Sequence, residues 1–196
     1  MRSTKGEDVR VLAVAASFRK GSFNQALIRA ARELAPRHIR IDDYDLRAVP
    51  FYDRDLEAAG DPDEVTALKG AIAGADALLI ATPEYNGSVT DVLKNAMDWA
   101  SRWPPDSRLK DKPVAVMGAS PSRGGTRRAQ SHLREILNKA GADVIDGPSL
   151  YLARAFEHVE DGRLASEDAR GTVRETVARL VEAVAIDTAQ AVGVVG

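Results

Sequence analysis

Val9-Arg10-Val11-Leu12-Ala13-Val14-Ala15-Ala16 runs directly into Ser17-Phe18-Arg19-Lys20-Gly21-Ser22-Phe23-Asn24, and a helical pattern opens at Gln25. The first octet is rich in valine and alanine, the composition of a strand buried on both faces in a parallel sheet. Behind it, a small, hydroxyl-rich turn can gather backbone N–H groups, and Ser17, Ser22 and Asn24 can add side-chain donors toward one anion. Arg19 can pair with such an anion as a fork, Gly21 lets the backbone come close, and the following helix adds its positive end. Read this way, the stretch is a phosphate cradle. The same residue types also make ordinary strand-to-helix turns and caps, so a second motif has to decide.

Outward from this stretch, strand and helix patterns alternate. Gln25 to Ala35 places Ala26, Leu27, Ala30, Ala31 and Leu34 on one helical face, with Pro36 as a stop, and His38 to Tyr44 reads as a second strand. Arg47 to Asp61 reads as a connecting loop. A helix from Pro62 ends at Gly74, and Asp76 to Ala81 is an apolar third strand. Val89 to Ser101 follows as a helix, Pro113 to Gly118 as a strand, Arg127 to Ala140 as a helix, Val144 to Tyr151 as a fifth strand, and Glu167 to Thr188 as the last helix. Five βα units predict an α/β, three-layer sandwich with a five-stranded parallel sheet in the flavodoxin-like order 2-1-3-4-5. The loops behind the first and third strands then meet at the switch point of the sheet, where ligands bind.

With 196 residues, 44% of them hydrophobic, the chain suits one domain over 1–196, with 1–8 and 189–196 expected as loose tails. A net charge of -2 offers no electrostatic reason for nucleic acid or an anionic membrane surface as partner. Absence of cysteine excludes disulfides, thiolate nucleophiles and Cys-ligated metals, and disfavours a phosphatase. His38, His132 and His158 lack the spacing of a metal motif, so no metal is expected. Arg2 and Lys5 ahead of the first apolar run loosely imitate a secretory leader, but Arg10 interrupts it; a cytoplasmic protein is expected. No Gly-x-Gly-x-x-Gly follows the first strand, which sets aside a Rossmann dehydrogenase.

The third strand leads into Thr82-Pro83-Glu84-Tyr85-Asn86-Gly87-Ser88 and then Leu93-Lys94-Asn95-Ala96-Met97-Asp98-Trp99. Pro83 and Tyr85 offer rigid apolar area, and the backbone N–H groups of residues 84–86 could donate toward the edge of a flat ring. The same segment is also an ordinary turn opening a helix. Together with Ser17 to Asn24, and with Gly118-Ala119-Ser120-Pro121-Ser122-Arg123-Gly124-Gly125, these blocks resemble the NADPH-dependent FMN reductase family, which includes reductases of quinones, azo dyes and chromate.

The resemblance implies that Ser17, Arg19, Ser22 and Asn24 bind the FMN phosphate, with Phe23 also in the cofactor-binding set. It further implies that Pro83, Glu84, Tyr85 and Asn86 line the isoalloxazine, that Ser120 sits beside its rim, and that Gly124 and Gly125 let the last loop approach the ring. NADPH would deliver hydride to FMN, and a quinone, azo compound or metal oxyanion would receive it, with no catalytic side chain required. The alternative is a flavodoxin-type one-electron carrier without NADPH turnover; such carriers are usually strongly acidic around the flavin, unlike this charge-balanced chain. The family implies a homodimer or homotetramer, with Trp99, Trp103 and the helix from Arg127 as candidate interface residues. Ser131 stands where relatives often carry tyrosine, so a tetramer contact there is not carried over. Leu93, Ala96, Met97 and Trp99 also read as a packing face. Arg102, Trp103, Arg123, Arg127 and Arg128 could meet an NADPH phosphate or form a subunit salt bridge, or remain solvated surface.

Overall fold

A computed structural model describes residues 8–102, 107–147 and 149–193, with side chains to residue 186. The elements run β1 (Val9–Ala15), α1 (Phe23–Leu34), β2 (Ile39–Asp43), α2 (Arg54–Ala59), α3 (Asp63–Ala73), β3 (Ala77–Ala81) and α4 (Asp91–Ala100). They continue through β4 (Pro113–Ala119), α5 (Arg127–Lys139), β5 (Asp143–Val144), β6 (Tyr151–Leu152), β7 (Val159–Glu160), β8 (Arg163–Leu164) and α6 (Glu167–Gly193). The main sheet is parallel in the order β2-β1-β3-β4-β5, as the alternation predicts. Registers such as Val11↔Ala77 and Leu78↔Val114 keep the C-terminal ends of β1, β3 and β4 level, so the loops behind them open at one edge.

Strand alternation divides the core in two. Val11, Ala13, Leu79 and Ala115 face α1 and α6, whereas Leu12, Val14, Leu78, Ile80 and Val116 face α3, α4 and α5. Every residue of β3 and β4 is buried, the pattern of a sheet covered on both faces. Fully buried Leu79 and Ile80 each contribute about 1.5–3 kcal/mol in removing their side chains from water.

Several expectations are corrected. The segment predicted as a loop from Arg47 to Asp61 contains α2, opened by the Asp53 carboxylate accepting from the Asp55 N–H at 2.7 Å and closed at Gly60 with φ +117°. It is fastened to α4: Asn95 accepts from the Tyr52 N–H and donates to the Pro50 carbonyl, and the Trp99 indole donates to the same carbonyl. Arg102 lies over the Tyr52 ring, 4.7 Å from its centroid, and pairs with Glu57 at 2.7 Å. Trp99, read both as a packing residue and as an interface candidate, is therefore a core residue with no exposed surface, as the packing reading has it. Arg102 is likewise engaged within its own chain, and Trp103 lies outside the described residues.

The fifth strand, expected over Val144 to Tyr151, is two short strands, β5 and β6, both pairing with β4. The break falls at Asp146-Gly147, where glycine weakens a strand. Beyond β6, the antiparallel pair β7–β8 is a hairpin that the alternation did not signal; Arg29 on α1 holds its Gly162 carbonyl at 2.6 and 3.1 Å. The last helix runs to Gly193, past the Thr188 expected as its end.

Candidate functional site

Ser17, Arg19, Ser22, Phe23 and Asn24 from the first loop meet Pro83 and Tyr85 from the third-strand loop, with Ala119, Pro121 and Phe156, around an open cavity of about 470 Å³. That volume lies within the range of small-molecule sites, about 300–1,000 Å³. One end is polar and cationic. Ser22 is the N-cap of α1, its Oγ accepting from the Gln25 N–H, and its own hydroxyl proton remains free to donate. The Ser17 hydroxyl has no hydrogen-bond partner among the described residues. Gly21 takes φ +70°, which a side chain would strain, and turns the loop tightly enough for the Ser22 N–H to reach the Arg19 carbonyl. Arg19 is exposed, with its guanidinium 4.9 Å from the Phe23 ring centroid. No acidic residue occupies the first turn of α1, so its positive end is unopposed there.

The other end is apolar and aromatic: Pro83 is buried, Tyr85 is 54% exposed and Phe156 is 57% exposed. Tyr85 opens a two-residue turn in which Asn86 (φ +52°) and Gly87 (φ +77°) occupy the left-handed positions. This is the Asn-Gly geometry of a type I′ hairpin, closed by reciprocal Tyr85–Ser88 backbone bonds of 3.0 Å. The Tyr85 N–H, expected to be available to a ring edge, is thus tied to Ser88.

Several sequence-predicted residues do other work. The Asn24 amide is buried and exchanges two hydrogen bonds with the backbone of Ala119, at 2.9 and 3.0 Å, so it clamps the first loop to the end of β4. Glu84 does not line the cavity; its Oε2 accepts from the N–H groups of Arg128 and Ala129 at 2.9 and 3.2 Å. Asn86 is exposed on the turn, outside the cavity. Ser120 is buried and internal to its loop, its hydroxyl bonded to Ser122 and its backbone to Leu152 and Ala155. Gly124 and Gly125 do not line the cavity either. At Gly125 (φ +63°) a Cβ would lie 2.6 Å from the Tyr151 carbonyl oxygen, so that glycine admits the close approach of β6.

Among the arginines, Arg127 lies 4.6 Å over the Tyr151 ring and Arg123 is exposed. Ala119, Pro121 and Phe156 were missed. The first two sat inside the quoted third block, but apolar residues there carry no polar signature. Phe156 follows the broken fifth strand on a short helical turn whose start, Arg154, has φ +44°; no motif marks it.

The residues at this cavity fit FMN: serine hydroxyl protons free to donate, an exposed guanidinium and a helix N-terminus with no acidic residue in its first turn suit its phosphate, and the apolar end suits a flat ring. Residues 9–157 match the model of the NADPH-dependent FMN reductase family. The chain is 40% identical to the NAD(P)H-dependent FMN reductase of Pseudomonas aeruginosa, over 89% of this chain and 94% of that one. It is 39% identical to the 2-hydroxy-1,4-benzoquinone reductase of a Burkholderia species, covering 83% and 88% of the two chains. In structure it is similar to FerB, a flavoenzyme NAD(P)H:(acceptor) oxidoreductase from Paracoccus denitrificans, with a TM-score of 0.80 and 32% identity over 89% of this chain and 98% of that one. The chain therefore belongs to the NADPH-dependent FMN reductase family, as an oxidoreductase that uses FMN and NAD(P)H.

Proposed function

We propose that this protein passes hydride from NADPH through FMN to a quinone, and that azo compounds and metal oxyanions are further acceptors at the same open face. The observation that carries this reading is one cavity with two chemistries, a cationic, hydroxyl-rich end at α1 and an exposed aromatic end at Tyr85 and Phe156. Ser17, Arg19 and Ser22 would hold the phosphate, with the α1 N-terminus behind them. Pro83 and Tyr85 would flank the ring and leave room for a planar acceptor. When bound, FMN supplies the hydride-accepting and hydride-donating chemistry, so the side chains bind and orient rather than act as acid or base. Likeness to the Burkholderia benzoquinone reductase supports a quinone acceptor.

The protein is proposed to act as a homodimer or homotetramer in the cytoplasm. No described helix is long and apolar enough to cross a membrane. The test is anaerobic titration of the FMN-loaded protein with NADPH, followed by 1,4-benzoquinone. Flavin bands that bleach with NADPH and return with quinone are the expected outcome. Bands that NADPH leaves unchanged would overturn the reading in favour of a one-electron carrier.

A further inference from the structure

The helix α5 begins without a cap of its own. Its N-cap residue, Thr126, makes no capping bond, and the Thr126 Oγ1 accepts instead from the Gln130 amide at 2.8 Å. The first turn holds no acidic residue and opens with Arg127 and Arg128, cations at the positive end of the helix dipole. Glu84 remedies both defects from 44 residues upstream. Its carboxylate accepts from the N–H groups of Arg128 and Ala129, the second and third helical positions, which an N-cap side chain normally serves.

Glu84 is also the neighbour of Tyr85, whose half-exposed ring borders the cavity. The turn beyond Tyr85 touches α5 twice more. Ser88 Oγ lies 2.8 Å from His132 Nδ1, and the Arg128 side chain passes beside Gly87, close enough that a Cβ there would meet its Cδ at 3.5 Å. Residues 128, 129 and 132 share one face of α5. The Tyr85–Ser88 turn is an isolated two-residue hairpin, a motif with little stability of its own. Its position therefore depends on these ties.

We infer that Glu84 is a positioning residue: by capping α5 from the third-strand loop, it fixes the turn that carries Tyr85 and so sets the acceptor-side wall of the cavity. Glu84 touches neither FMN nor acceptor in this role. The inference rests on the reductase reading above and names the element that holds that site's aromatic wall.

The experiment compares wild type, Glu84→Ala and Glu84→Gln by hydrogen-exchange mass spectrometry on the peptide spanning residues 84–88, without nucleotide, and by turnover of 1,4-benzoquinone with NADPH. Glu84→Ala is expected to speed exchange in that peptide about tenfold and to lower kcat/KM for the quinone about tenfold, since loosening a positioning group by a fraction of an ångström weakens orientation at the reacting face. The FMN dissociation constant should change less than about twofold, because Ser17, Arg19 and Ser22 lie on a separate loop. Glu84→Gln keeps an acceptor oxygen and should recover most of the loss. In a Tyr85→Ala background, Glu84→Ala should cost no further kcat/KM, because its effect passes through Tyr85.

Additive losses in that double variant, or wild-type exchange and turnover in Glu84→Ala, would overturn the inference. Should Glu84→Ala fail to fold, Glu84→Asp makes the same test by drawing the carboxylate back from the Arg128 and Ala129 N–H groups, with about a threefold loss expected and wild-type exchange and turnover overturning the inference. Wild-type protein that does not reduce the quinone would instead overturn the reductase reading, while the exchange measurement would still test the cap.

Discussion

Two segments at the C-terminal edge of the sheet both carry serine, glycine and arginine, yet leave their polar groups in different states. Residues 17–24 and residues 118–126 each hold two serines and one arginine, with one glycine in the first and three in the second. In the first loop the Ser17 hydroxyl and the Ser22 hydroxyl proton are available at the cavity, and the exposed Arg19 guanidinium spends only one N–H, on the Gly21 carbonyl at 3.0 Å. In the second, Ser120 and Ser122 bond to each other, Ser122 donates to the Gly125 carbonyl, Gly125 packs against Tyr151 of β6, and Thr126 accepts from Gln130 on α5. Composition therefore does not tell a loop with free polar groups from one whose polar groups are spent within the scaffold. The test is where each polar group's hydrogen bonds go, since a buried donor without a partner is costly and one aimed at a cavity is free for a ligand.

The sharpest way to break this comparison is Gly118→Ala. A Cβ at Gly118 would collide with Thr126 Oγ1 and with the Thr82 carbonyl, the latter a backbone atom of a buried strand end. Overpacking there should cost about 3 kcal/mol, read as a fall of about 6–12 °C in the melting temperature of the apoprotein. Normal thermal stability with weakened FMN binding would instead move this loop to the ligand class.

The next largest effect is the converse, in the first loop. Arg19→Ala should raise the FMN dissociation constant about ten- to hundredfold, the loss of a charge-assisted hydrogen bond, and leave apoprotein stability within about 0.5 kcal/mol. Flavin fluorescence titration beside calorimetry reads both quantities. Full FMN affinity in this variant would show that the Arg19 guanidinium does not hold the phosphate.

A matched pair then sharpens the contrast at smaller magnitude. Ser17→Ala should weaken FMN by about 0.5–1.5 kcal/mol with an unchanged melting temperature, whereas Ser120→Ala should lower stability by about 1 kcal/mol with unchanged affinity per folded molecule. If both serines moved both quantities alike, the division between the loops would fall.

The smallest effect lies outside both loops and serves as a control on the scaffold. Glu57 accepts from Arg102 and from the Tyr52 hydroxyl, and these bonds, the arginine's first, hold its carboxyl below the usual glutamate range. A carboxyl lowered on folding stabilises the fold above its unfolded pKa, about 4.3, and loses that contribution as pH falls through the folded value. The melting-temperature gap between wild type and Glu57→Gln should therefore be present at pH 7, at under about 1 kcal/mol for a partly exposed pair, and close below about pH 4. A gap that persists at pH 3 would assign the effect to packing of Tyr52 against Trp99.

Legibility in the sequence followed the range of the interactions. Strands such as β1 and β3 are continuous apolar runs, and their order follows from alternation with helices, so the sheet was readable. The helix α2 was missed although Asp53 and Gly60 frame it, because Arg54-Asp55-Leu56-Glu57-Ala58-Ala59 buries no residue and shows no apolar face. At the site, Ser17, Arg19, Ser22, Phe23, Asn24, Pro83 and Tyr85 were named from their loops and do meet at one cavity. Phe156 was not, since nothing local distinguishes it from an ordinary surface phenylalanine.

The sequence by itself determined the α/β alternation, the sheet order and the two loops that converge at its switch point, because each depends on residues adjacent in the chain or on a periodicity a few residues long. Only the tertiary structure decided which polar groups in those loops remain available. Asn24 reaches Ala119 across 95 positions and Glu84 caps a helix 44 positions away, and a side chain's partner at such distances is set by how the strands stack.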